Sequence, residues 1–124
     1  MAHQILRSTY ERCDERGLFQ EIVNGPSFAA VSRGRMNAGA VMGNHFHKKT
    51  RVFFFLVSGG AAIKTVNVET KATDSFALSE GEGVYLEPGE SHSIRYKTES
   101  EFVMLKSLPY DPKDPDTFPY PIKD

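Results

Sequence analysis

Three histidines carry the chemistry this sequence offers. His45 and His47 stand two residues apart in Gly43-Asn44-His45-Phe46-His47, and His92 follows the turn Glu87-Pro88-Gly89-Glu90. Alternate residues of a β-strand share a face, so His45 and His47 project together if this stretch is extended. A third imidazole on a facing strand would complete a set suited to either of two tasks. Neutral imidazoles ligate divalent metals. With an ordinary pKa of about 6.5, an imidazole also takes and returns protons at neutral pH. The residues alone leave both tasks open. Tyr96 lies in phase with His92 and Ile94 on the same segment and is a further candidate acid. His3, in the N-terminal segment, is assigned to solvent.

Short apolar segments, punctuated by Gly, Pro, Asn and Ser, must position these groups. Strands are expected near residues 18–23, 28–35, 43–46, 52–58, 61–68, 73–78, 83–86, 91–96 and 101–107, with no helical repeat of useful length. This spacing predicts an antiparallel all-β fold, a two-sheet jelly-roll β-barrel. Asn24-Gly25-Pro26 breaks the first pair, Ser58-Gly59-Gly60 is expected to make a tight hairpin, and Glu87-Pro88-Gly89-Glu90 turns the chain before Ser91. After Leu108 the chain holds five of its seven prolines. Residues 109–124 therefore cannot build a central strand and read as an extended Pro-rich C-terminal tail on the surface or on a neighbouring subunit.

The 124 residues suit a single domain, with the barrel over about 14–108. Nine Phe and five Tyr indicate a folded core. The formal net charge of −1 gives no reason to expect nucleic acid or an anionic membrane as partner. Cys13 is the only cysteine, which excludes an internal disulfide and a cysteine zinc site. No apolar run approaches the roughly 20 residues of a membrane span, and the charged N-terminus lacks a signal-peptide pattern. A soluble, cytoplasmic protein is expected.

Gly39, His45, His47 and Gly59, with Gly81, Gly89 and His92, fall in register with the two motifs of the cupins, and the chain resembles that superfamily. The resemblance implies a jelly-roll barrel, the double-stranded β-helix, with metal ligands at His45, His47 and His92. It departs where the family's metal-binding Glu would stand: this chain has Val52 there, with Arg51 beside it. Glu87 replaces the motif proline and Tyr96 the terminal Asn. The cofactor expectation is accordingly none required, or one divalent ion (zinc, iron, nickel or manganese) on three imidazoles.

A second likeness starts at Asp14-Glu15-Arg16-Gly17-Leu18-Phe19-Gln20-Glu21, which resembles a segment of dTDP-4-dehydrorhamnose 3,5-epimerases. His45-Phe46-His47-Lys48-Lys49 is similar to a segment of metal-free dTDP-sugar 3,4-ketoisomerases. Gly43 to His47 together with Tyr110-Asp111-Pro112-Lys113-Asp114-Pro115-Asp116-Thr117-Phe118 resembles the C-terminal cupin domain of capsular-polysaccharide enzymes acting on UDP-4-keto-6-deoxy-N-acetylhexosamines, without their reductase part. These likenesses imply a C3 epimerase of a UDP- or dTDP-4-keto-6-deoxy sugar. His45, His47 and Tyr96 would move protons, and Arg16, Phe19 and Glu21 would meet the nucleotide. Arg33, Arg35 and Lys49 are candidates for the phosphates, with a solvated strand face as the alternative for the two arginines. The competing classes are a metal-dependent oxygenase or lyase using the three histidines, and a non-catalytic cupin that binds carbohydrate or nucleotide. The aromatic tail, with Tyr110, Phe118 and Tyr120, suggests a homodimer.

Overall fold

The computed structural model describes residues 3–123, and every regular element in that span is a strand. In chain order these are β1 (Leu6–Arg7), β2 (Tyr10–Asp14), β3 (Gly17–Glu21), β4 (Ala30–Met36), β5 (Val41–Phe46), β6 (Val52–Ser58), β7 (Gly60–Asn67), β8 (Thr73–Ser79), β9 (Glu82–Leu86), β10 (Glu90–Tyr96), β11 (Ser100–Lys106) and β12 (Phe118–Pro119). One antiparallel sheet has the order β1-β9-β6-β11-β4 and the other β12-β5-β10-β7-β8, while β2 and β3 form a separate hairpin. From β4 onward most connections pass from one sheet to the other, which is the two-sheet jelly roll expected from the spacing.

The core lies between the sheets. Val52, Phe54 and Leu56 of β6 point inward and meet Ile63, Leu78, Val84, Leu86, Ile94, Tyr96 and Phe102. Each such side chain, fully buried, contributes roughly 1.5–3 kcal/mol. Phe53 and Phe55, in the opposite phase, are also buried, so β6 is apolar on both faces.

Three expectations are corrected. Ser58-Gly59-Gly60 is not a hairpin, because β6 and β7 belong to different sheets; it is a corner that hands the chain across. Gly59 has a φ of 95°, and a Cβ there would strike the side chain of Ser100, whose hydroxyl accepts the Gly60 N–H. His3 does not sit in solvent: its Nδ1 lies 2.7 Å from Asp74 Oδ2 and its Nε2 2.8 Å from Glu90 Oε1, beside the Phe76 ring. Finally, β1, β2 and β12 were not anticipated. The hairpin strand β2, Tyr-Glu-Arg-Cys-Asp, is mostly exposed, so no apolar alternation announces it; its pairing to β3 makes it a strand.

The stretch after Leu108 crosses back to the barrel, where β12 adds an edge strand beside β5, with Phe118 opposite Phe46 and Pro119 opposite His45. An edge is where a sheet tolerates a proline lacking its N–H.

Candidate functional site

β5 and β10 bring the histidines together. His45 is directly opposite His92 in the antiparallel pairing, and a bulge follows His92. Gly43 permits this close approach: its φ is 95°, and a Cβ there would collide with the His92 carbonyl oxygen. His47 ends the group just beyond β5. Ring centroids are 4.8 Å apart for His45 and His92, 5.1 Å for His45 and His47, and 5.7 Å for His47 and His92. One ring nitrogen from each lies within 4.8 Å of the others.

Their environments differ. His45 is half-buried, whereas His47 and His92 are 6% and 4% exposed. Burial lowers the His45 imidazole below its ordinary value, and the charges of His47 and Lys106 add to this. Burial drives His92 further, to about 3, with His45 and His47 adding to the effect and the Glu90 carbonyl opposing it. Both are therefore neutral at pH 7, the form that accepts a proton or ligates a metal. His92 Nδ1 is buried with no hydrogen-bond partner among the described residues. His47 Nδ1 lies 2.7 Å from the Asp116 carbonyl oxygen. A carbonyl only accepts, so this nitrogen carries the proton and Nε2 is the one left for chemistry.

Val52, at the position of the cupin carboxylate, is 1% exposed within the apolar core. Among the described residues, no acid replaces it in the histidine group. Asp116, whose main-chain carbonyl meets His47, has its carboxylate engaged elsewhere: Oδ1 accepts the Lys48 N–H at 2.8 Å, and Oδ2 accepts the N–H groups of Lys49 and Thr50 at 2.9 Å and the Thr50 hydroxyl at 2.8 Å. Burial would raise this carboxyl, but those bonds bring it down to about 2.

The other candidates are placed elsewhere. Tyr96 is four residues along β10 from His92, about 13 Å at strand rise. It is wholly buried, stacked near Phe102, with its hydroxyl 3.2 Å from Met42 Sδ, and burial raises its phenol well above the usual range. Arg16 pairs with Asp14 at the exposed tip of the β2–β3 hairpin, Phe19 lies under the Arg12 guanidinium, and Glu21 accepts the Thr9 hydroxyl. Arg33 and Arg35 both reach Glu101 on the outer face of the β4 edge, opposite in phase to Gly34, which faces Phe102 in the core. Lys49 is in the turn that follows His47, its ammonium 3.8 Å from Asp114.

Two residues of the site escaped the sequence reading. Lys106 ends β11 in the phase of Phe102 and Met104, both of which pack on the core, and its charge acts on His45 and His92. That alternation was visible in the sequence. Asp116 lies in a Pro-rich stretch without periodicity, and nothing there marks it as buried. Two cavities, of about 610 Å³ against β7, β8 and residues 120–123 and of about 500 Å³ beside His3, Arg51 and Tyr85, are lined by none of the three histidines.

Fold and site together describe a jelly-roll barrel with a histidine group at one end. The family model of the polysaccharide biosynthesis C-terminal domain matches residues 12–118, and the chain belongs to this family. The capsular polysaccharide assembling protein CapF from Staphylococcus aureus is 27% identical, with a TM-score of 0.72 over 91% of this chain. The match covers 34% of CapF, so the chain spans about a third of that protein's length. A dTDP-4-dehydrorhamnose 3,5-epimerase from Sulfolobus tokodaii shares the fold at 17% identity, with a TM-score of 0.74 over 91% of this chain and 80% of that one. So does the 3,4-ketoisomerase QdtA from Thermoanaerobacterium thermosaccharolyticum, solved with TDP-4-keto-6-deoxyglucose, at 16% identity and a TM-score of 0.77 over 94% and 86%. No curated protein sequence matches.

Proposed function

We propose that this chain is a sugar-nucleotide isomerase, a C3 epimerase of a UDP- or dTDP-4-keto-6-deoxy sugar in surface-polysaccharide synthesis. The observation that carries the reading is the trio His45, His47 and His92 within reach of one another, with the His45 and His92 imidazoles held neutral by burial. Family membership and the folds shared with sugar epimerases and a ketoisomerase support it.

A 4-keto group acidifies the hydrogen on C3, so the reaction needs a base, a means of stabilising the enolate, and an acid. His45 is neutral and the least buried of the three, and takes the C3 proton. His47, with Nε2 free, shares the proton traffic with it. The Lys106 ammonium, whose charge already acts on His45 and His92, offsets the developing enolate charge. Arg16, Phe19 and Glu21 contribute to nucleotide binding from a hairpin that stands apart from both sheets, with Tyr10, Leu18 and Phe19 exposed. We assign Tyr10 and Leu18 to contact with a second copy, giving a homodimer; sedimentation as a monomer at micromolar concentration would reject that assembly.

The three imidazoles also suit a divalent ion. They converge, the His45 and His92 rings are neutral, and the Nδ1 of His92, unpartnered among the described residues, is the kind of orphaned atom a metal would satisfy. His45, His47 and His92 would hold the ion, which supplies Lewis-acid polarisation of a carbonyl. This favours one second reading, a metal-dependent oxygenase or lyase.

Incubation in D2O with UDP- and dTDP-4-keto-6-deoxy sugars tests the first reading through mass gain at C3. Elemental analysis of protein purified without chelator tests the second, for which the absence of stoichiometric metal is decisive. Tight sugar-nucleotide binding without deuterium uptake would instead indicate a non-catalytic binding barrel.

A further inference from the structure

The stretch 110–118 is the part of the sequence whose likeness to the capsular enzymes came with no assigned role, and its buried residue is Asp116. We propose that Asp116 is a positioning residue for the histidine site: its main-chain carbonyl fixes the tautomer of His47, and its carboxylate ties down the turn at Lys48, Lys49 and Thr50 that carries it. The inference rests on the isomerase reading for what the site does, but its geometry stands independently.

Both halves of one residue are used. The carbonyl accepts from His47 Nδ1 at 2.7 Å, which selects the Nδ1–H form and leaves Nε2 without a proton. The carboxylate gathers three successive N–H groups and a hydroxyl from the next three residues. A single side chain thus holds the turn immediately after His47 while its own backbone holds the ring. The conformation that allows this is left-handed, with φ at 52°, a region that Asp, Asn and Gly tolerate better than other residues.

The segment bearing Asp116 is fixed on both sides of the pair. Phe118 packs on the Phe46 ring at 5.4 Å and lies beneath the Lys48 ammonium at 4.3 Å. The Tyr120 N–H donates to the Asn44 carbonyl at 2.8 Å, and the Ile122 N–H to the Asn44 side chain at 2.9 Å. Residues 44, 46 and 47, which flank or include the histidines, are therefore all fastened by the C-terminal strap. If Asp116 served only to pin the strap, the state of the His47 ring would be indifferent to it.

Nitrogen-15 spectra of the imidazole rings in the full-length protein separate the two. In the unmodified protein His47 should show a protonated Nδ1 and a bare Nε2; a signal protonated at Nε2 instead overturns the proposal with no variant needed. Asp116→Gly keeps the backbone conformation and the carbonyl but removes the carboxylate. It should shift His47 toward a mixture of tautomers and slow C3 deuterium exchange roughly tenfold or more, with Asp116→Asn intermediate on both measures. Asp114→Ala, an exposed neighbour on the strap, should change neither. A folded Asp116→Gly protein with the His47 signals unaltered contradicts the proposal, and if that variant does not fold, the same reading is taken from Asp116→Asn. Failure of the unmodified protein to exchange deuterium, with the His47 tautomer as expected, would count against the isomerase reading alone.

Discussion

The end of the barrel at β5 and β10 and the β2–β3 hairpin hold the two sets of residues that the sequence marked for chemistry, and they are organised in opposite ways. His47 and His92 are buried and His45 half-buried, His45 and His92 face each other across paired strands, and His47 is tied by the C-terminal strap. On the hairpin, Arg16 and Phe19 are exposed, and their contacts are with Asp14, Arg12 and Tyr10 of the same element. Proton chemistry needs fixed, desolvated groups, whereas recognition by a hairpin paired to neither sheet needs another surface to complete it. One half of the proposed site is finished within the chain; the other awaits substrate or a second copy.

That contrast breaks first at the histidines. His45→Ala should reduce C3 exchange by roughly 10³-fold with little loss of stability, since the ring is half-buried; equal rates in both proteins would remove His45 from the chemistry. Removing Asp116 by alanine leaves three N–H groups without their acceptor and should cost about 3 kcal/mol in urea unfolding. Acid probes the same region. His92 is neutral in the fold with a value near 3 and about 6.5 unfolded, so the unfolded chain binds the extra proton. In chelator-treated protein, stability should fall by up to about 1.4 kcal/mol per pH unit below pH ~6.5, levelling off near 3; a His92→Gln variant should lose that slope.

The hairpin should respond differently. Arg16→Ala or Phe19→Ala should raise KM for the nucleotide sugar several-fold while moving the unfolding free energy by no more than about 0.5 kcal/mol; a fall in kcat at constant KM would place them in the chemistry instead. The smallest effect is at His3. Burial lowers its pKa, but hydrogen bonds and charges from Glu90 and Asp74 more than reverse this, leaving it raised. Its stabilisation is complete below the unfolded value of about 6.5 and is lost as pH rises through the folded value. His3→Gln should therefore destabilise at pH 6 and make little difference at pH 9, as followed by thermal unfolding.

Strand positions were legible because apolar runs and turn residues alternate clearly from residue 18 to 107, and the three histidines converge as strand phase and motif spacing suggested, although β5 and β10 are hydrogen-bonded neighbours in one sheet rather than strands facing each other across the barrel. Sheet membership was not. Ser58-Gly59-Gly60 reads identically as a hairpin or as a corner, and only the pairing of β6 with β9 and β11 decides it. Tyr96 had the right phase but the wrong depth, since phase says nothing of distance along a strand. Arg33 and Arg35 alternate as expected, yet face outward to Glu101. Asp116 and His3 owe their roles to contacts with residues more than 60 positions away, for which local pattern carries no signal.

The central claim is that the histidine site moves the proton on C3 of a 4-keto sugar nucleotide. Mass spectrometry of such substrates after incubation in D2O tests it most directly. The account predicts gain of one deuterium at C3 with the unmodified protein and none with His45→Ala; unchanged mass for UDP- and dTDP-linked 4-keto-6-deoxy sugars that demonstrably bind would contradict it.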